Sequence, residues 1–121
     1  MENLDIIETF NNVINSKSNK TLRKLLIYFR DMTVHQNEFY LQRSIAQIAD
    51  NIGVDKSYIS RMLTILEEEG IISITRVNLN DGYLPNFIFF DMILNQWDVV
   101  INGELLTTSQ YKKMVISNVI K

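Results

Sequence analysis

The sequence predicts an α+β fold that is mainly helical and carries one small β-hairpin. Apolar residues recur at the three-to-four spacing of an amphipathic helix in several separate stretches. Between residues 71 and 90, a β-branched run, a cluster of turn formers and a second apolar run predict the hairpin. The chain has 121 residues, which is enough for a single domain with its own hydrophobic core.

Residues 3 to 15 are predicted to form the first helix. Leu4, Ile7, Phe10 and Ile14 fall on one face at helical spacing, and the polar run SKSNK follows them. Two interpretations of this helix stay open at this point. It either covers the core of its own domain or contacts a second copy of the chain.

Thr21 to about Val34 are predicted to form the second helix. The residues expected to face inward are Leu22, Leu25, Leu26, Phe29 and Met32. The outer side carries four basic residues, Lys20, Arg23, Lys24 and Arg30. A row of this kind is usually a solvated helix face, and contact with a polyanionic backbone is the alternative. His35, the only histidine, is expected at the surface rather than on a metal.

A short strand over residues 38–42 is expected to pair with the hairpin, and a short helix follows it. The apolar face of this helix consists of Ile45, Ile48, Ala49 and Ile52. Ser44 is predicted to cap its start, because a serine hydroxyl can accept a hydrogen bond from a free amide of the first turn. Gly53 is predicted to end it, since glycine adopts positive φ without a steric cost.

Asp55 is predicted to cap the next helix, which extends to the glycine at position 70. Its buried stripe is expected to consist of Ile59, Met62, Leu63 and Leu66. The remaining side chains of its first half are Lys56, Ser57, Tyr58, Ser60, Arg61 and Thr64. The exposed N-terminal face is therefore expected to be basic and rich in hydroxyl groups.

Two short helices joined by a glycine turn form a helix-turn-helix, whose second helix can enter the major groove of DNA. Lysine and arginine there can meet phosphates or guanine edges, and hydroxyl groups can meet several bases. The predicted DNA-binding residues are Lys56, Ser57, Tyr58, Ser60, Arg61, Thr64 and, from the hairpin, Arg76.

The hairpin is predicted from a strand over residues 71–77, a turn over 78–86 and a second strand over 87–90. Asp81 and Gly82 are the expected point of reversal, because this pair favours tight hairpin turns. Arg76 is placed to reach phosphate or the minor groove. A hairpin with only a structural role is the alternative.

The C-terminal third begins with one or two helical turns over residues 91–97, where Trp97 is expected in the core. Residues 99–106 contain Asn-Gly between apolar runs, which predicts a hairpin, although two helices joined there also fit. Ser109 is predicted to cap a last helix. One side of that helix carries Tyr111, Met114, Val115, Asn118 and Val119, and could pack against a symmetry mate.

Bacterial winged-helix regulators have a helix-turn-helix that resembles one stretch of this sequence, IAQIADNIGVDKSYISRMLTILEEEGII. The positions that match in order are Ala49, Gly53, Ile59, Leu63, Leu66, Gly70 and Ile72. The resemblance extends from Ser44 to about Phe90. It implies a winged helix-turn-helix in which the hairpin is the wing. The expected layout is one domain over 1–121, with an N-terminal helix (1–16), a winged-helix core (20–90) and a C-terminal extension (91–121) that serves dimerisation.

The charge distribution agrees with a nucleic-acid partner better than the net charge of -2 does. Residues 17–61 carry eight bases against four acids, a balance of +4 that surrounds the helix-turn-helix. Cysteine is absent, so disulfides and zinc-thiolate sites are excluded. No phosphate-binding glycine loop and no catalytic triad can be assembled, so we expect no enzyme and no cofactor. The first residues lack a secretory signal and no stretch is long and apolar enough for a membrane span, so a cytoplasmic protein without membrane contact is expected.

These observations predict sequence-specific binding of double-stranded DNA by a homodimer, most often the work of a transcriptional regulator. One alternative is a plasmid or phage accessory protein in replication or partition. In outline and size the chain is similar to the centromere-binding adaptors of tubulin-like partition systems, whose protein partner is a filament-forming GTPase. The alternative from another class is a winged helix that docks proteins and does not bind DNA.

Overall fold

Helices form most of the structure, and short antiparallel strands complete it. The structure is a computed structural model that describes residues 3–79, 82–83 and 85–120. The helices within these residues are α1 (Asn3–Asn15), α2 (Lys20–Gln36), α3 (Ile45–Ile52), α4 (Lys56–Glu68), α5 (Asp91–Leu94) and α6 (Thr108–Ile120). The strands are β1 (Tyr40–Gln42), β2 (Ser73–Thr75), β3 (Asn78–Leu79), β4 (Gly82–Tyr83), β5 (Phe87–Phe89), β6 (Val99–Ile101) and β7 (Glu104–Leu106). This architecture confirms the α+β prediction.

A three-stranded antiparallel sheet in the order β1-β5-β2 joins the N-terminal half of the chain to the hairpin. The central residue Ile88 lies opposite Leu41 on one side and Ile74 on the other. The predicted pairing of the strand before α3 with the hairpin is therefore confirmed. No helix in the described part of the chain has the length and apolar character needed to cross a bilayer.

The hairpin differs in detail from the prediction of one strand over residues 71–77. β2 has only three residues, and pairing resumes beyond Arg76 and Val77 in a separate two-stranded ladder, β3 with β4. The interruption divides the hairpin into a base within the main sheet and an outer ladder. The expected reversal at Asp81-Gly82 falls partly outside the described residues, because residue 81 is not among them.

The main hydrophobic core lies between the first four helices and one face of the sheet. Ile6, Phe10 and Ile14 of α1 are buried in it, and α1 packs along α2. The rings of Phe10 and Phe29 lie 5.5 and 5.3 Å from the ring of Phe90, between centroids. Phe10 and Ile14 of the predicted face therefore cover the core of their own chain, as the first of the two interpretations proposed. Ile6 is buried beside them, whereas Leu4 of the predicted face is 70% exposed.

A second hydrophobic cluster lies between the sheet and the C-terminal elements. Phe87 and Phe89 belong to this cluster, whereas Ile88 and Phe90 belong to the main core. Successive side chains of a strand point to opposite faces, so β5 contributes alternate residues to the two clusters. The same strand is thus the central strand of the sheet and the common wall of both clusters. The expectation of one domain over 1–121 stays a prediction.

Residues 99–106 form a hairpin, which decides between the two alternatives left by the sequence. β6 pairs with β7, and Asn102 and Gly103 between them have φ angles of 52° and 80°. Two successive residues at positive φ are typical of the type I′ turn that joins antiparallel strands. Trp97 is half-buried against the main core, and its indole nitrogen donates a hydrogen bond to the Thr9 hydroxyl over 3.1 Å.

The prediction that Ser109 caps the last helix is wrong, because α6 already begins at Thr108. The Thr107 hydroxyl accepts a hydrogen bond from the Gln110 amide, and the Gln110 side chain accepts one from the Thr107 amide. These reciprocal bonds form a capping box. Thr108 also donates to the carbonyl of Leu94 over 3.1 Å, which fixes the start of α6 against α5. Ser109 therefore lies inside the first turn.

Replacing Thr107 by alanine is expected to lower the free energy of unfolding by about 1 kcal/mol, because an amide of the first turn loses its acceptor. Ser109→Ala is the matched control and is expected to change it by less than about 0.5 kcal/mol, as for an ordinary exposed site. Urea denaturation followed by circular dichroism measures both variants. A larger loss for Ser109→Ala would restore the original assignment of the cap.

Candidate nucleic-acid interface

Local hydrogen bonds fix the bend between α3 and α4. Ser44 and Gln47 form a capping box at the start of α3, with bonds of 3.1 and 2.8 Å. Gly53 has a φ of 69°, and its amide donates to the carbonyl of Ala49 over 2.8 Å. Asp55 then accepts from the amide of Ser57 at the start of α4. The predicted caps at positions 44 and 55 and the predicted glycine turn are confirmed.

One side of α4 is buried and the other is open along its first half. Ile59, Met62, Leu63 and Leu66 lie in the main core. On the other side, the exposed residues are Lys56, Ser57, Ser60, Arg61 and Thr64. We call these five residues the α4 face. It presents two cationic side chains and three hydroxyl groups without any acidic side chain between them.

Tyr58 differs from the exposed position that was predicted for it, because it is half-buried and packs against the main core. Its hydroxyl accepts a hydrogen bond from the side-chain amide of Asn19 over 3.3 Å. The guanidinium carbon of Arg61 lies 5.1 Å from the centre of its ring. A cation over an aromatic face gains about 0.5–1 kcal/mol at an exposed site. Tyr58 therefore joins α4 to the start of α2 and orients Arg61 on the α4 face.

A small cleft of about 50 Å³ separates α4 from the sheet, and we call it the sheet cleft. Its lining residues are Arg43, Ile45, Ser60, Leu63, Thr64, Glu67, Ile74, Arg76, Asn86 and Ile88. The fold thus brings Arg76 of the hairpin to the same cleft as Ser60 and Thr64. The other four predicted residues, Lys56, Ser57, Tyr58 and Arg61, do not line it, so the seven predicted residues fall into two neighbouring groups.

Arg43 and Asn86 belong to this site, and the sequence did not single them out. The Nε atom of Arg43 is buried and has no hydrogen-bond partner within the described residues. A buried donor without a partner is costly, and a guanidinium group forms strong bonds to phosphate. The available signal was a basic residue directly before the cap Ser44. Asn86 carried no such signal, because only the pairing of β5 with β2 brings it beside Arg76.

The acidic residues that end α4 bond to neighbouring groups. Glu67 accepts a hydrogen bond from the amide of Ile74 over 3.0 Å, and Glu69 forms an ion pair with Lys17. Glu68 is exposed. These contacts tie the end of α4 to β2 and to the segment between α1 and α2. Two of the three acids therefore have partners within the fold.

The Asp55 carboxylate is held in its charged form by the start of α4. The side-chain hydrogen bond from Ser57 lowers its pKa below the ordinary value of 3.8, and the backbone amide of Ser57 lowers it further. A lowered pKa in the folded protein stabilises the fold above the unfolded value, and this contribution is lost as the pH falls through the folded value.

Asp55→Asn keeps a capping oxygen but removes the charge, so it isolates this effect. We expect wild type to exceed the variant in melting temperature near neutral pH. The difference should shrink only once the pH falls below about 3.8. Thermal denaturation at several pH values measures it. A difference that stays constant down to about pH 2.5 would contradict the ionic contribution.

Comparisons with known proteins give no family. No protein-family description matches the sequence, and no curated protein matches it. A solved structure described as a possible transcriptional regulator from Methanosarcina mazei Go1 is similar over 96% of this chain and 78% of its own, with 16% identity and a TM-score of 0.43. A likeness this low carries no weight for fold or function, so the site is judged from its geometry.

Proposed function

We propose that this protein is a winged helix-turn-helix that binds double-stranded DNA through the α4 face. The observation that carries the proposal is the division of α4 into a buried apolar side and an open side with cations and hydroxyl groups. The bend at Gly53 supports the proposal, because it allows α4 to project while α3 packs behind α4. In this proposal α4 enters the major groove with its N-terminal half.

The side chains would have separate tasks in such a complex. Lys56 and Arg61 suit phosphates or guanine edges, and the hydroxyl groups of Ser57, Ser60 and Thr64 suit bases or phosphates. Arg43 and Arg76 on the sheet cleft would hold the backbone beside the groove. The outer ladder of the hairpin would serve as the wing. Tyr58 would act indirectly, because it orients Arg61 rather than facing the duplex.

We further propose that the protein is a cytoplasmic homodimer that binds a specific DNA sequence. Its role would be transcriptional regulation, without catalysis. A dimer is the common way for a small helix-turn-helix protein to reach useful affinity, since two half-sites are read together. The C-terminal extension is the proposed dimerisation element. Operator binding would favour regulation, whereas repeated sites beside a filament GTPase gene would favour partition.

Binding to a random-sequence duplex tests the proposal most directly. Fluorescence anisotropy at about 50 mM salt should detect an electrostatic complex, and its affinity should fall as salt rises. If Arg43, Lys56, Arg61 and Arg76 each meet a phosphate, the slope of log K against log salt is about -3 to -4 per subunit. No binding at that salt would overturn the proposal. The negative net charge would then favour the protein-docking alternative.

Selection of bound fragments from random DNA, followed by footprinting, tests specificity and symmetry. Two half-sites one helical turn apart, about 34 Å, are expected for a symmetric dimer. A single unrepeated half-site would contradict the dimer while leaving the DNA-binding proposal intact. An even footprint on all sequences would contradict specificity.

A further inference from the structure

A second cleft, with a volume of about 430 Å³, lies between β1, the β6–β7 hairpin and α6. We call it the aromatic cleft. It shares no residue with the α4 face or the sheet cleft. Pockets for small organic ligands usually measure about 300–1,000 Å³, so this volume admits a molecule with one ring and a short substituent.

Aromatic and aliphatic side chains form much of the lining. Phe39, Tyr40 and Tyr111 contribute rings, while Val99 and Met114 contribute aliphatic surface. The Phe39 and Tyr111 rings lie 5.9 Å apart between centroids. The amide of Phe39 also donates to the Tyr111 hydroxyl over 3.2 Å, so these two rings are fixed relative to each other. Rigid aromatic faces are what a bound cation or a flat apolar group requires.

The charged groups of the lining all have the same sign. Glu38 and Asp98 are acidic, and the described lining contains no lysine, arginine or histidine. Burial and the nearby charge of Glu38 raise the pKa of the Tyr40 hydroxyl, so this carboxylate lies close to an aromatic wall. Burial raises the pKa of Tyr111 to about 12, so its ring stays neutral in the physiological range. The cleft therefore combines two negative charges with neutral aromatic faces.

We propose that the aromatic cleft binds a small organic cation, such as a substituted ammonium compound carrying one apolar group. The carboxylates attract the positive charge, and the rings of Tyr40, Phe39 and Tyr111 accept it through cation–π contact. The aliphatic wall takes the apolar group. The same carboxylates would repel an anionic ligand of equal size. Neither inorganic anions nor nucleic acid fit this chemistry.

Benzyltrimethylammonium is a suitable probe, and benzenesulfonate is its anionic counterpart of similar size. We expect isothermal titration calorimetry of the full chain to give a millimolar or tighter dissociation constant for the cation. The sulfonate should bind at least tenfold more weakly. Nuclear magnetic resonance should place the shifts of the cation complex on β1 and α6. Equal affinity for the two probes, or shifts confined to other elements, would overturn the proposal.

Glu38→Gln should weaken binding of benzyltrimethylammonium about tenfold, because one carboxylate beside the rings is removed. Glu104→Gln is the matched control: Glu104 is exposed on β7 and does not line the cleft, so its affinity should equal that of wild type. Equal weakening in both variants would show only a general charge effect and would overturn the site. Circular dichroism confirms that both variants are folded.

A second copy of the chain is the competing occupant of the aromatic cleft, and Asn118→Trp separates the two. Asn118 is exposed on α6 and lines the cleft, so an indole there should abolish probe binding without changing the oligomeric state. Light scattering after size exclusion reports that state. If the variant dissociates an oligomer, or if wild-type probe binding falls as the protein associates, the cleft belongs to a subunit contact and the proposal fails. These results do not test DNA binding, because no DNA is present. A subunit contact at the cleft would instead support the C-terminal extension as the dimerisation element.

Discussion

Replacing Phe90 by alanine is expected to lower the free energy of unfolding by about 3–5 kcal/mol. Phe90 is fully buried, and its ring meets those of Phe10 and Phe29 where α1, α2 and the sheet converge. Its amide also donates to the carbonyl of Phe39 over 3.1 Å, so the backbone there is held in place. Because the surrounding elements are tied to one another, we expect them to collapse only partly into the space left by the ring.

Urea denaturation of Phe90→Ala and of Phe90→Leu measures this effect. Leucine retains most of the apolar volume, so its loss should be clearly smaller than that of alanine. Val100→Ala is a surface control, because Val100 is 61% exposed, and it should change the free energy by less than about 0.5 kcal/mol. A loss below about 1 kcal/mol for Phe90→Ala would mean that Phe90 is not central to the core.

The double variant Lys56→Ala/Arg61→Ala is expected to weaken binding to duplex DNA by roughly tenfold to a hundredfold near physiological salt. The result rests on the proposed function. Both side chains lie on the open side of α4, and each phosphate contact that is lost should reduce the salt slope by about one unit. Since neither side chain is in the core, the free energy of unfolding should change little. Anisotropy titrations at several salt concentrations measure affinity and slope together.

Lys113→Ala is the control for charge alone. Lys113 is exposed on α6, and its replacement removes the same single charge as Arg61→Ala. If the α4 face meets DNA, Arg61→Ala should weaken binding several-fold more than Lys113→Ala does. Equal effects would show that net charge, rather than this surface, governs binding. Tyr58→Phe should have an intermediate effect, because it keeps the ring under Arg61 but loses the bond from Asn19.

The sequence predicted the segment from Ser44 to Gly70 almost completely because that segment is specified by local interactions. A capping serine, an apolar stripe at helical spacing and a glycine at positive φ each act within a few residues. A local signal also predicted the Asn102-Gly103 turn, although two helices joined at that point fitted the sequence as well. The structure contains the hairpin, and Val99 and Leu106 of this hairpin pack in the second cluster beside α6.

Features that depend on contacts distant in sequence were not predictable in the same way. Arg43 and Asn86 enter the candidate site only because β1 and β2 flank β5. Tyr58 has the residue type of a DNA-facing side chain, but its bond to Asn19 holds it half-buried. The cap of α6 is Thr107 rather than the predicted Ser109, because Thr108 is hydrogen-bonded to α5. Each difference arises from tertiary packing, which local propensity does not contain.

The alternation along β5 limits how this protein can be shortened. A fragment ending at Phe90 would keep every element of the proposed DNA-binding surface, yet it would leave the Phe87 and Phe89 rings facing water. Exposed phenyl rings on a three-stranded sheet favour aggregation. A minimal DNA-binding derivative would therefore need polar replacements at those two positions, and it would also lose the contacts of Ile93 and Trp97 with the main core.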